Sequence, residues 1–349
     1  MPSARAVETS GRSPNGRIVQ AGAEAQLRRS DGREIPAELA MLVFPGDRLI
    51  ATTSNILVQC SDLSWQEIPA GRTIANTCAK EEKKQSGCAP GSLECPDRGE
   101  YIAQRSSEIP YIISPRNTDV LAQTPRFRWH DVPGTKEYRV TLYADGEQIW
   151  QTTTSESEIT YAGEIPLEPE VGYSLQVDAD GGQSSLDGPL VSGGITFFIA
   201  SEETRSHIQQ HQDAIEAQAL DAPEQDVALA HLYFDSNLVA EGIERLESAI
   251  DRGAESASIY RELGDRLFFR LSLLPQGKDY YEQAWENVLP DHVEEKAAIA
   301  YGLSQVYQAI GDRDRTIAWL TEAESAYQQL QDRSQLEQIR EQLDRLQKP

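Results

Sequence analysis

Leu229-Ala-His-Leu-Tyr233 recurs 34 residues later as Leu263-Gly-Asp-Arg-Leu267 and again as Leu303-Ser-Gln-Val-Tyr307. Each copy places large apolar residues at i and i+4, which share one face of a helix, with a small residue (Ala230, Gly264 or Ser304) beside the first. Behind each copy a second apolar set follows: Gly242, Leu246 and Ala249; then Tyr281 and Ala284 after a longer insert; then Gly311, Leu320 and Ala323. This pattern predicts helices that carry recurring apolar and small residues. A period in the range of 20–50 residues points to stacked repeats.

From Glu202 to the end the chain is rich in Ala, Leu, Glu, Gln and Arg and poor in turn residues, so residues 201–349 are expected to be an α-helical domain. The recurring positions resemble the tetratricopeptide repeat, and the resemblance implies an α-solenoid. Leu273-Leu-Pro-Gln-Gly277 is expected to lengthen the internal turn of the second repeat, and Ser334 to Gln347 to form a closing helix with a polar outer face. In that family the first helix of each pair lines a concave binding groove. The resemblance implies that Val227, His231, Phe234, Arg261, Asp265, Phe268, Tyr301, Gln305 and Gln308 are the groove residues here. Phe234 and Phe268 fit equally as filling between repeats.

Upstream the apolar period changes to two. Phe127-Arg-Trp129, Tyr138 to Tyr143, Gln148 to Thr152, Tyr173 to Asp178 and Ile195 to Ile199 alternate as strands with one buried face, separated by turns at Val132-Pro-Gly134, Asp145-Gly146 and Gly181-Gly182. Residues 107–200 are expected to form a β-sandwich. Leu167-Glu-Pro-Glu-Val-Gly-Tyr173 looks like the tyrosine corner of fibronectin type III domains, and Trp129 stands where those domains keep their core tryptophan. The resemblance implies an Ig-like, fibronectin-like fold in which Tyr173 bonds back to the chain.

Residues 17–76 carry short strand-like runs, Arg17 to Gln20, Ala25 to Arg28, Asp47 to Thr52 and Asn55 to Cys60, with turns at Ser30-Asp-Gly32 and Pro45-Gly-Asp47. A small all-β domain follows. Arg29-Ser-Asp-Gly32, with Phe44-Pro-Gly-Asp-Arg48 before Ala51-Thr-Thr-Ser54, resembles the FecR-like β-domain of bacterial envelope proteins. Residues 1–16 are read as a flexible polar tail and 77–106 as a charged, cysteine-containing linker.

Cys60, Cys78, Cys88 and Cys95 are the four cysteines, all in one region. Even number and clustering favour two disulfides, and of three possible connectivities Cys60 with Cys78 and Cys88 with Cys95 close short glycine-containing loops. Structural zinc brings cysteines in close C-x2-C pairs, which are absent, so no metal site is expected. Disulfides imply a periplasmic or extracellular location, whereas free thiols imply the cytoplasm; the opening residues lack the apolar run of a secretory signal.

The formal net charge of -24 argues against a general nucleic-acid binder, which needs a basic face. No stretch approaches the length of a transmembrane helix. His207-Ile-Gln-Gln-His211 puts two imidazoles on one helical face, but a zinc peptidase needs Glu where Ile208 stands, so both read as surface histidines. No phosphate-binding glycine loop and no nucleophile elbow occurs. The expectation is a non-catalytic adaptor without cofactor that takes a protein or peptide in its groove. The alternative is a cell-wall or carbohydrate-binding module using the β-sandwich, with Trp150 as an exposed contact.

Overall fold

The computed structural model describes residues 13–79, 108–163, 165–187 and 196–347. The chain has β-sheets in its N-terminal part and a helical C-terminal region. It divides into two compact units that are not continuous in sequence: Met1–Asp97 with Gly253–Asp265 and Gly277–Pro349, and Arg98–Arg252 with Arg266–Gln276.

In the first unit, eight short strands form two antiparallel sheets. β1 (Gly16–Gln20), β4 (Leu42–Val43), β6 (Ile56–Cys60) and β7 (Trp65–Ile68) lie in the order β4-β1-β6-β7; β2 (Gln26–Arg28), β3 (Glu34–Pro36), β5 (Arg48–Ile50) and β8 (Thr73–Ala75) lie in the order β3-β2-β5-β8. Both sheets feed one core: Ile18, Val43, Ile56, Val58 and Ile68 from one, Leu27, Ile35 and Leu49 from the other. Burying each such side chain contributes about 1.5–3 kcal/mol. The expected turn at Ser30-Asp-Gly32 forms, with Gly32 at φ +95°, a backbone that residues with a Cβ avoid. A disulfide joins Cys60, at the end of β6, to Cys78; Cys88 and Cys95 lie outside the described residues, as does most of the expected tail and linker.

The same unit contains α4 (Ala257–Asp265), α5 (Leu274–Asn287) from Gly277 onward, α6 (Val293–Ile310), α7 (Arg313–Leu330) and α8 (Arg333–Gln347). Gly311 ends α6 in the left-handed region, and the Asp312 side chain accepts the Arg315 N–H to start α7, so the hairpin between them is a glycine stop followed by an N-cap. The fully buried Tyr281 ring of α5 fills the space above Gly264 of α4 and Gly302 of α6. A Cβ at either glycine would meet that ring, at 2.9 Å and 2.3 Å. Small residues thus set the helix spacing. Leu273 to Gly277 is not a longer turn. The chain continues past α4 as a π-helical turn, Arg266–Arg270, and α5 already begins at Leu274, where Pro275 sits in a first turn that has no need of its missing N–H.

In the second unit, β10 (Thr118–Val120), β12 (Tyr138–Ala144), β13 (Glu147–Thr154), β15 (Tyr173–Ala179) and β16 (Thr196–Ile199) form a sheet ordered β10-β16-β15-β12-β13. A second sheet orders β14 (Glu158–Thr160), β11 (Arg126–Trp129) and β9 (Ile112–Ser114) as β14-β11-β9. β10 pairs with β16 in parallel and every other pairing is antiparallel. Phe127 and Trp129 of the smaller sheet share a core with Val140, Leu142, Leu175, Val177 and Phe197 of the larger. The Tyr173 hydroxyl accepts the Glu168 N–H at 2.8 Å. α1 (Glu202–Glu216), α2 (Ala222–Asp235) and α3 (Val239–Asp251) complete this unit, and Gly242 of α3 leaves room for the Phe234 ring of α2.

The start of α3 is anchored on β10. Thr118 Oγ1 accepts the Val239 N–H at 2.8 Å, and the Glu241 carboxylate accepts the Leu121 N–H at 2.8 Å. Burial pushes the Glu241 carboxyl up to about 7, with the charges of Glu244 and Asp119 adding to it.

Candidate interaction surface

The first helix of each expected repeat is where a groove would form. In the first unit, however, eight of the nine residues of α4 are buried, from Ala257 through Gly264. Arg261 is 2 % exposed and pairs with Asp265 and Glu295, while Tyr281 donates its hydroxyl hydrogen to Asp265. Burial alone would lower the Arg261 guanidinium, but the carboxylates of Glu295, Asp265 and Glu262 outweigh it and hold the group protonated.

Glu262 has its own cation. Arg17 of β1, 5 % exposed, forms an ion pair with it inside the unit. Around this contact the β-sheets reach α6 as well. Arg33 binds the Glu294 carboxylate, Arg29 lies 3.6 Å from it while bonding Asp47 at 2.7 Å, and His292 meets the Pro36 carbonyl at 3.1 Å. Burial lowers the His292 imidazole below its ordinary range, so the ring is neutral at pH 7 and its Nε2–H donates to Pro36. Glu38, 3.4 Å from His292 Nδ1, is pushed up to about 6 by burial and by the charge of Glu295. Arg261 is therefore held inside the helical part by Asp265 and Glu295, while β1 covers the neighbouring Glu262, and neither side chain is open to a partner.

Of the other expected groove residues, Tyr301 is 9 % exposed, Gln305 half-buried and Gln308 exposed on α6. Gln305 donates from Nε2 to Gln342 Oε1 of α8 at 3.5 Å. Gln335, Gln338 and Gln342 repeat at i, i+3 and i+7, which keeps them on one side of α8. The Gln335 Oε1 atom is buried with no hydrogen-bond partner. With Gln347 at the end of α8, six glutamine amides thus occur on two helices of this unit, each offering a donor and an acceptor and no net charge.

In the second unit, Val227 and Phe268 are buried and leave the expected groove; His231 and Phe234 are half-buried, and the Arg266 guanidinium covers the Phe234 ring at 4.1 Å. Helix α2 buries Val227, Ala228, Leu229, Ala230, Leu232 and Tyr233, so its apolar stripe is wider than one face. Trp150, expected as an exposed contact aromatic, is half-buried and packs edge-on against Tyr161 at 5.3 Å. Sequence reasoning missed Arg17, Arg29, Arg33, Glu262, Glu294 and Glu295. No local signal marks them: Arg17–Glu262, Arg33–Glu294 and Arg29–Glu294 join residues 245, 261 and 265 positions apart, and Glu295 meets Arg261 from 34 positions away.

Among the described residues no helix is long and apolar enough to cross a membrane. No family model matches this chain, and no curated protein matches it. Several solved structures resemble 42% of it. They include MamA (19% identity, 91% of that chain, TM-score 0.29), BtubC from P. vanneervenii (18%, 73% of that chain, 0.30) and YrrB, a TPR protein with an unusual peptide-binding site (14%, 80% of that chain, 0.27). Likeness of this degree assigns neither fold nor function to this chain.

Proposed function

We propose that this chain is a non-catalytic scaffold whose helical C-terminal region, built from tetratricopeptide-like repeats, binds a protein or peptide. The 34-residue recurrence and the glycine contacts at Gly242, Gly264 and Gly302 support the repeat reading. One observation carries the binding reading: the glutamine amides of α6 and α8, Gln305, Gln308, Gln338 and Gln342, remain wholly or partly exposed while the acidic face of α4 is already filled. Amides that both donate and accept suit a peptide main chain.

The expected groove contracts accordingly to Tyr301, Gln305 and Gln308 with Gln342 in the first unit, and to His231 and Phe234 in the second. The test is selection of peptides from a random library on the full chain. Enriched peptides should bind Gln305→Ala/Gln308→Ala at least about tenfold more weakly, a loss of roughly 1.4 kcal/mol. Unchanged binding by that folded variant removes this face from the reading.

The N-terminal sheets are read as FecR-like, and the sheets of residues 108–200 as a fibronectin type III-like sandwich. The back-bond of Tyr173 to Glu168 and the buried Trp129 support the latter. An oxidising envelope compartment is supported by the Cys60–Cys78 bond. A thiol count on protein isolated from its native cells tests that location, since two free thiols at Cys60 and Cys78 contradict it.

A further inference from the structure

His207 and His211 lie side by side on the outer face of α1, their ring centroids 4.5 Å apart. The helix beneath them is fixed. Ser201 caps its first turn by accepting the Thr204 N–H at 3.1 Å, Ile208 and Ile215 are buried, and Gln212 donates to the Tyr233 hydroxyl of α2 at 2.7 Å. His207 is exposed and His211 half-buried, and neither ring hydrogen-bonds to another described residue.

A metal–nitrogen bond of about 2.0 Å plus roughly 1.1 Å from nitrogen to ring centre puts two rings at right angles about one ion ~4.5 Å apart. Tetrahedral coordination would spread the same rings to about 5 Å. The observed 4.5 Å lies within reach of one ion bound by both rings, and imidazole ligands suit copper(II) and nickel(II). We infer that His207 and His211 form a two-histidine site for a divalent ion, copper(II) above all, with water in the remaining positions.

The order of divalent affinities places copper(II) first, with nickel(II) and zinc below it.

The test is titration of the full chain with buffered Cu2+, followed by electron paramagnetic resonance. The expected result is one ion per chain with coupling to two imidazole nitrogens, and a loss of at least about tenfold in affinity in His207→Ala and again in His211→Ala. His207 is exposed, so its replacement leaves the fold intact, which far-UV circular dichroism verifies. Cu2+ binding that is absent, or that survives unchanged in the His207→Ala/His211→Ala variant, overturns the assignment.

Discussion

Arg17 of β1 and Glu262 of α4, 245 residues apart, form a buried ion pair in which each side chain is at most 6 % exposed. Removing one partner strands the other charge in the interior, which costs about 3–5 kcal/mol. Arg17→Met is therefore expected to lower unfolding stability by that amount. Replacing both, as Arg17→Met/Glu262→Leu, restores most of it. Urea denaturation of the three proteins checks the cycle, and additive losses would show that the two side chains do not act on each other.

Gly302→Ala is expected to destabilise the helical part of the same unit by about 1–3 kcal/mol, because a Cβ would reach within 2.3 Å of the Tyr281 ring. Tyr281→Leu in the Gly302→Ala background should recover part of the loss. The readout is the thermal midpoint of the helical circular dichroism signal.

Reducing the Cys60–Cys78 bond opens a loop of 18 residues and is expected to cost roughly 3 kcal/mol. Cys60→Ala/Cys78→Ala should match the reduced protein. A guanidinium titration with and without reductant measures both, with Cys88 and Cys95 also replaced by Ala in every protein so that reductant acts only on this bond.

Glu241 gives a pH dependence with a definite sign. Its carboxyl titrates higher in the folded chain, at about 7, than its ordinary value of 4.5, so the folded state holds a proton that the unfolded state has already released. Stability from this group is full below pH 4.5 and is lost as pH rises through about 7. Glu241→Gln keeps an oxygen for the Leu121 N–H and cannot titrate, so its stability should fall less than the parent's between pH 5 and pH 8. Glu38, at about 6, contributes in the same direction in both proteins and cancels in the comparison. Parallel pH curves would rule out Glu241 as the source.

Periodicity made most of the fold legible. Tyr173 to Ala179 alternates buried and half-buried without exception, and the strand is where the alternation predicts it. The recurrence of Leu229, Leu263 and Leu303 located the first helix of each pair. What escaped were short or irregular pieces such as β3 and β10, three residues each, too brief for a period to register. The groove was less legible because a residue's exposure depends on what packs over it. Arg261 is a groove position only through the family resemblance, yet β1 delivers Arg17 to the adjacent Glu262, and nothing within a helical turn of Arg261 announces that. The glutamines of α8 were visible as letters, but only the bond from Gln305 to Gln342 shows that they face α6.

The long reach from Arg17 to Glu262 also has a timetable. A ribosome adds about 5–20 residues per second, so β1 is synthesised roughly 12–50 seconds before α4. For that interval the nascent sheets carry Arg17 without Glu262, while Arg29 and Arg33 have Asp47 and Asp31 but lack Glu294. Maturation of the first-made part of this protein therefore waits on nearly the last, and an amber stop placed before Ala257 should release an N-terminal fragment that chaperones and proteases recognise as unfinished.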